Sequence, residues 1–415
     1  MKRREFLKSS ALMSSAAVLG VPHYSHAAAE KATIQVYNEI GKTGIKMSDI
    51  SFGCGKLSSA SLIARAMNRG INYFDTSPDY GDSEEVLGEA IKKLKKRDKM
   101  IIASKFCDKE LYPGHLPLGS KKLDFIKVVD GSLSRLNTDY LDICFVHAIG
   151  EGTTLFSAIK RFIPGMKASE KKRKEEEKRL FDENLLSAVD TLKKSGKIRF
   201  LAVSSHGPHF MEELMTKAVT SGHYDLIMPA FNFMKFPKIP SLLLEAKKNN
   251  VGVIAMKTLA GAKDMSLDPK GESFEHAVFK WTLKHQGVNG LVITIKSIDE
   301  LDHYVKASGK EFMTSDQALL DQYKKLYTAK YCRTGCGECL DSCSSNVNIA
   351  TILRYQMYFQ DYGMEKKALE GYASLRQKAD VCNSCLDTPC EKACPYGLPI
   401  SSMLQTAHNL LSFNA

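Results

Sequence analysis

The sequence predicts an α/β chain: a (β/α)8 barrel followed by a small, mainly helical domain rich in cysteine. Three observations carry that reading. Short apolar segments of strand type alternate with helix-type periodicity eight times in succession. Side chains able to do acid–base chemistry stand at the ends of consecutive strand segments, the face where such barrels carry active sites. Eight of the eleven cysteines lie between Cys332 and Cys394.

The 415 residues exceed one ordinary domain. Ile34 to Lys46 reads as a hairpin turning at Gly41-Lys42, and Asp49 to Gly53 as the first barrel strand. Further strands are expected at Asn72–Asp75, Met100–Lys105, Leu141–His147, Ile198–Ser204, Leu226–Ala230, Gly252–Lys257 and Gly290–Ile295. The intervening helices are expected at Ser59–Asn68, Ser83–Leu94, Lys122–Leu136, Asp182–Lys194, Pro208–Thr220, Pro240–Lys248, Phe274–Lys284 and Asp299–Ala307. The barrel thus occupies 33–307. Residues 148–180 form an oversized connection after the fourth strand, rich in Glu, Lys and Arg in its second half, and are expected to be a lid or partner-docking insertion. Residues 308–330 read as a polar helical linker, and 331–415 as the second domain.

The stretch Ile71 to Glu85, INYFDTSPDYGDSEE, runs from a strand through a turn into a helix. It places Asp75 at a strand tip and Tyr80 in the loop behind it. Lys105 closes the next strand and His147 the one after. Neighbouring parallel strands lie about 5 Å apart, so a carboxylate, a phenol, an ammonium and an imidazole can converge there. Each alone has a plainer reading, as a structural histidine, an ion-pair member or a loop aromatic.

With those four residues in place, the chain from Ile34 to about Ala307 resembles the aldo-keto reductase family, and the four fall on its catalytic tetrad. The resemblance implies a TIM-type barrel that interconverts carbonyl and alcohol by hydride transfer with NADP or NAD. It assigns proton transfer to Tyr80, tuning to Lys105 held by Asp75, and orientation of the substrate oxygen to His147. An ammonium beside a phenol is expected to lower the phenol's pKa. The resemblance further implies cofactor-binding roles for Ser204, Ser205, Met256, Lys296 and Ser297. Ser205 stands where the family has Asn, and Met228 where it has Gln. Simple barrel filling is the alternative for these positions.

The tail cysteines are spaced Cys332-x3-Cys336-x2-Cys339-x3-Cys343 and Cys382-x2-Cys385-x4-Cys390-x3-Cys394-Pro395. Two such runs resemble a two-cluster ferredoxin, as carried by one branch of aldo-keto reductases. That resemblance implies two 4Fe-4S clusters, one held by Cys332, Cys336, Cys339 and Cys394, the other by Cys343, Cys382, Cys385 and Cys390. A four-thiolate zinc site and disulfides remain alternatives. Cys54, Cys107 and Cys144 read as core residues.

Residues 1–27 resemble a twin-arginine signal peptide: Arg3-Arg4, an apolar run from Ala11 to Val21, and a small-residue cleavage motif ending at Ala27. The expectation is export to the periplasm, with the export machinery as a partner and no stable membrane span. The net charge of +11 is concentrated in this leader and in Lys167–Arg179, without interleaved aromatics, which argues against nucleic acid. The other partners expected are a small carbonyl or alcohol substrate and a redox protein. A non-enzymatic electron-transfer or binding module on a barrel scaffold is the reading from a different class.

Overall fold

The computed structural model describes residues 32–109, 114–150, 170–207, 210–234, 238–259, 267, 273–327, 331–332, 338–361 and 364–412. The leader expected at 1–27 and Cys336 lie outside these residues.

A hairpin of β1 (Tyr37–Glu39) and β2 (Lys46–Ser48) comes first. The barrel strands follow as β3 (Ile50–Gly53), β4 (Tyr73–Asp75), β5 (Ile101–Lys105), β6 (Leu141–Val146), β7 (Ile198–Ser205), β8 (Leu226–Pro229), β9 (Gly252–Ala255) and β10 (Gly290–Thr294). All eight are parallel, and β10 pairs with both β9 and β3 to close the barrel. The expected (β/α)8 architecture is therefore the observed one. Its helices are α1 (Ala60–Asn68), α2 (Ser83–Leu94), α3 (Lys122–Leu136), α4 (Glu170–Leu180), α5 (Glu183–Lys194), α6 (Met211–Thr220), α7 (Ile239–Lys248), α8 (Phe274–Leu283) and α9 (Ile298–Tyr304).

Inward and outward side chains build two apolar layers, as strand alternation requires. The lumen is filled by Tyr73, Ala103, Phe145, Met228, Ile254 and Met256, among others. The hairpin seals its floor with Ile40, Ile45 and Met47 in the same cluster. Gly41, at φ 49, makes that plug possible: a Cβ there would lie 2.5 Å from the Gly252 backbone nitrogen. The outer layer joins the strands' other face to the helices.

Helix α10 (Thr314–Tyr327) occupies the expected linker, and it packs onto the barrel rather than spanning a gap. Tyr323 stacks at 4.7 Å on Phe274, and Lys280 pairs with Asp316 at 2.6 Å, both buried. Ser308 Oγ and the Gly309 N–H both donate to the Asp49 carboxylate at the start of the barrel, tying the chain's exit to its entry. The tail that follows is helical, with α11 (Ile349–Asp361), α12 (Glu365–Ala373), α13 (Pro389–Lys392) and α14 (Ile400–Leu411) around a separate apolar core including Ile352, Tyr372, Leu404 and Leu411.

Of the connection at 148–180, residues 151–169 lie outside the described ones, and the last eleven form α4. Salt bridges from Arg173 to Glu213 (2.8 Å) and from Lys217 to Glu177 (2.7 Å) fasten α4 to α6.

Helix α2 fixes the loop that carries Tyr80, and it approaches α3 closely through Gly88. A Cβ at Gly88 would sit 2.2 Å from the Arg135 carbonyl oxygen, a backbone atom that has little freedom to yield. Beside this contact Glu84 accepts from Ser104 Oγ (2.5 Å) and from Arg135 Nε (2.7 Å), linking α2, α3 and the end of β5. Gly88→Ala is expected to destabilise the protein by about 1–3 kcal/mol through overpacking. Thermal denaturation checks this, and an unchanged Tm would mean that the two helices can separate freely.

Candidate active site

Strand register brings the four predicted residues to one place. Asp75 pairs with Ala103 across β4 and β5, and Lys105 with Phe145 across β5 and β6, so the three strands end almost level. Lys105 Nζ donates to Asp75 Oδ1 at 2.7 Å and to the Thr76 carbonyl at 2.7 Å. It lies 4.9 Å from the centre of the Tyr80 ring, and that ring is 6.2 Å from the His147 ring. The loop is pinned by Thr76 N–H to Ala103 (2.9 Å), by the Thr76 and Ser83 hydroxyls (2.7 Å apart), and by Ser83 Oγ donating to the Cys54 carbonyl (2.9 Å).

The electrostatics follow from burial. Lys105 is 2% exposed. Burial by itself lowers its pKa, but Asp75, then Tyr80 and Asp79, more than offset this and hold it high, so the ammonium stays charged. Burial pushes the Asp75 carboxyl up, while Lys105 pulls it back. The Tyr80 phenol is also pushed up, first by burial, with Lys105 acting in the opposite direction without prevailing. The sequence expectation of a lowered phenol pKa is thus corrected: the sign of the Lys105 effect is as expected, but the desolvation of the ring outweighs it. Tyr80 is a neutral phenol at ordinary pH.

The cofactor candidates divide into two groups. Met256 and Met228 line the lumen and are almost wholly buried. Lys296 is exposed just beyond β10. Ser297 caps α9 by accepting from Glu300 N–H (3.1 Å), while the Lys296 N–H donates to Glu300 Oε2 (2.7 Å). Ser204 and Ser205 stand at the end of β7 with both hydroxyls engaged: Ser204 Oγ accepts from Ala148 N–H (3.0 Å), and Ser205 Oγ donates to the Ile149 carbonyl (2.8 Å). In this arrangement they anchor the chain leaving His147.

Three nearby residues were not singled out as site residues. Asp79, in the turn before Tyr80, places Oδ2 3.5 Å from His147 Nδ1. Cys107, expected to be a core residue, lies 3.1 Å from Ser77 Oγ and 3.7 Å from Asp79 Oδ1. His115 stands with its ring 6.3 Å from that of His147. Asp79 was legible in principle, as a carboxylate one residue from the candidate phenol. Cys107 and His115 meet only through folding. A small cavity lies beside His147, lined by Phe106, Leu116, Phe125 and Leu185 together with Arg179 of the insertion helix.

In the tail, burial pushes the Cys382 thiol up to about 11, reinforced by Cys343, Cys390 and Cys385. Burial also raises Cys390, with Cys343 next in effect. One predicted quartet is therefore gathered in a single neighbourhood, and none of its members is in a disulfide. Cys332, Cys339 and Cys394 pack on the same small core, and their predicted companion Cys336 is outside the described residues.

Residues 55–264 match the model of the Aldo/keto reductase family. The chain is 24% identical over 332 residues to L-galactose dehydrogenase of Arabidopsis thaliana, covering 69% of this chain and 95% of that one. It is 23% identical over 346 residues to L-glyceraldehyde 3-phosphate reductase of Escherichia coli K12, covering 69% and 92%. Among solved structures, an aldo-keto reductase from Bacillus halodurans in its holo form superposes with a TM-score of 0.51 at 19% identity, covering 69% of this chain and 95% of that one. On the family match and the barrel together, the chain belongs to the aldo/keto reductase family and is an NAD(P)-dependent oxidoreductase of that type.

Proposed function

We propose that the protein reduces a small carbonyl compound, or oxidises the matching alcohol, at the Tyr80–Lys105–Asp75–His147 site, and passes electrons through a C-terminal iron–sulfur tail. The observation that carries the catalytic half is the buried 2.7 Å pair between Lys105 and Asp75 beneath the Tyr80 ring. A bound nicotinamide nucleotide supplies or accepts the hydride. Tyr80, kept protonated by burial, donates its proton to the carbonyl oxygen as negative charge grows there. Lys105 then stabilises the phenolate left behind, which is the moment its charge is most useful. His147, with Asp79 Oδ2 at 3.5 Å from Nδ1, orients the substrate oxygen from the other side.

For the tail, the gathering of Cys343, Cys382, Cys385 and Cys390 supports one 4Fe-4S site, with Cys332, Cys336, Cys339 and Cys394 as the ligands proposed for the second. The twin arginines Arg3-Arg4 support export to the periplasm with these groups already loaded.

Tyr80→Phe is expected to lower kcat for carbonyl reduction by about 10²–10⁴-fold with Tm unchanged. Lys105→Met should lose activity and also about 3–5 kcal/mol of stability, since it strands the buried Asp75 carboxylate. Because the phenol stays protonated, reduction should vary little with Tyr80 ionisation between about pH 6 and 9, whereas alcohol oxidation should accelerate as pH rises. Steady-state rates in both directions, with melting curves, check all three. Protein purified without oxygen should show a broad visible absorption that bleaches with dithionite; a colourless holoprotein would remove electron transfer from this reading.

A further inference from the structure

Asp79, Cys107 and His147 each follow one of three consecutive strands, β4, β5 and β6, and offer a carboxylate, a thiol and an imidazole to one point. Their ligand atoms all lie within 4.8 Å of one another. Two of the contacts are close: His147 Nδ1 to Asp79 Oδ2 at 3.5 Å, and Cys107 Sγ to Asp79 Oδ1 at 3.7 Å. A tetrahedral zinc ion, bonded at about 2.0–2.1 Å to nitrogen and oxygen and about 2.3 Å to sulfur, separates neighbouring ligand atoms by roughly 3.3–3.6 Å. The His147–Asp79 pair already meets that spacing, and the remaining ligand atoms, at most 4.8 Å apart, must draw closer to complete a coordination shell.

The Lys105 ammonium already acts on the Asp79 carboxylate from a distance, yet one Asp79 oxygen is left without a direct partner. The Asp79 side chain is fully buried, and its Oδ2 has no hydrogen-bond partner although it faces His147. Its other oxygen is already held by Ser77 Oγ. The Ser77 hydroxyl is also 3.1 Å from Cys107, so Ser77 orients two of the three ligands, as a second coordination sphere does.

We propose that Asp79, Cys107 and His147 form a site for a thiophilic divalent cation of the zinc class, with its fourth position open to water. Binding forms one bond from each of the three residues and releases the Cys107 thiol proton to solvent. Occupancy ties the His147 ring and the Asp79 carboxylate to the metal, so the cation inhibits carbonyl reduction. The inhibition rests on the reductase reading above; the binding does not.

The test uses the full holoprotein with its tail loaded, chelator-treated and then titrated with Co2+. One equivalent should enter with tetrahedral d–d absorption and a thiolate-to-cobalt charge-transfer band, and Zn2+ should displace it. Cys107→Ser should abolish the charge-transfer band, and Asp79→Asn should weaken Co2+ binding by about tenfold or more, since a direct ligand matters at least as much as an outer partner. Zn2+ should inhibit the native enzyme, and Cys107→Ser should relieve that inhibition. Either no cobalt spectrum, or an unchanged spectrum in both variants, would overturn the site. A cobalt spectrum lost in the variants from a protein without reductase activity would retain the site and refute the catalytic reading instead.

Discussion

The site depends on one buried ion pair. Lys105 and Asp75 meet at 2.7 Å where water is nearly excluded, and neither charge is tolerable there without the other. The pair is possible because parallel strands put Asp75 and Lys105 on adjacent tips in matching register. The consequences spread outward. The charged Lys105 sits under Tyr80, the Thr76 carbonyl takes another of its protons, and the loop from Thr76 to Ser83 is bound back to β5 and to Cys54. Burial keeps the Tyr80 phenol protonated above that ammonium.

The tail cysteines pack on a core of their own. The barrel and its covering helix α10 share one outer core, while the tail has a core of its own around Ile352, Tyr372 and Leu404. The insertion helix α4 is not an isolated appendage, since its Arg179 reaches the cavity beside His147 and donates to the Leu116 carbonyl.

Much of the fold is legible in residue order, for reasons that are local. Helices α2 and α3 run Ser83–Leu94 and Lys122–Leu136, the spans that apolar periodicity indicates. Helix α6 starts at Met211 rather than Pro208 because Phe210 caps it with a left-handed backbone, which composition does not announce. Convergence of Asp75, Tyr80, Lys105 and His147 is legible because strand tips repeat at a fixed spacing. Hydroxyl commitments are not: Ser204 and Ser205 look available in sequence, yet both hold the Ala148–Ile149 segment. The direction of the Tyr80 shift is not legible in sequence, because charge proximity follows from adjacent strands whereas depth of burial depends on the whole barrel mouth. Cys107 is fully buried, as its sequence context indicates, but its neighbours Asp79 and His147 come from other loops and are not legible beside it.

The central claim, hydride transfer at this barrel mouth, is tested most directly with an isotopic label. The purified protein would be given a reduced nicotinamide cofactor carrying deuterium at its transferable position, together with an aromatic aldehyde. The account predicts alcohol with deuterium on the former carbonyl carbon, delivered to a single face. Alcohol without that label, or deuterium recovered in water, would contradict it.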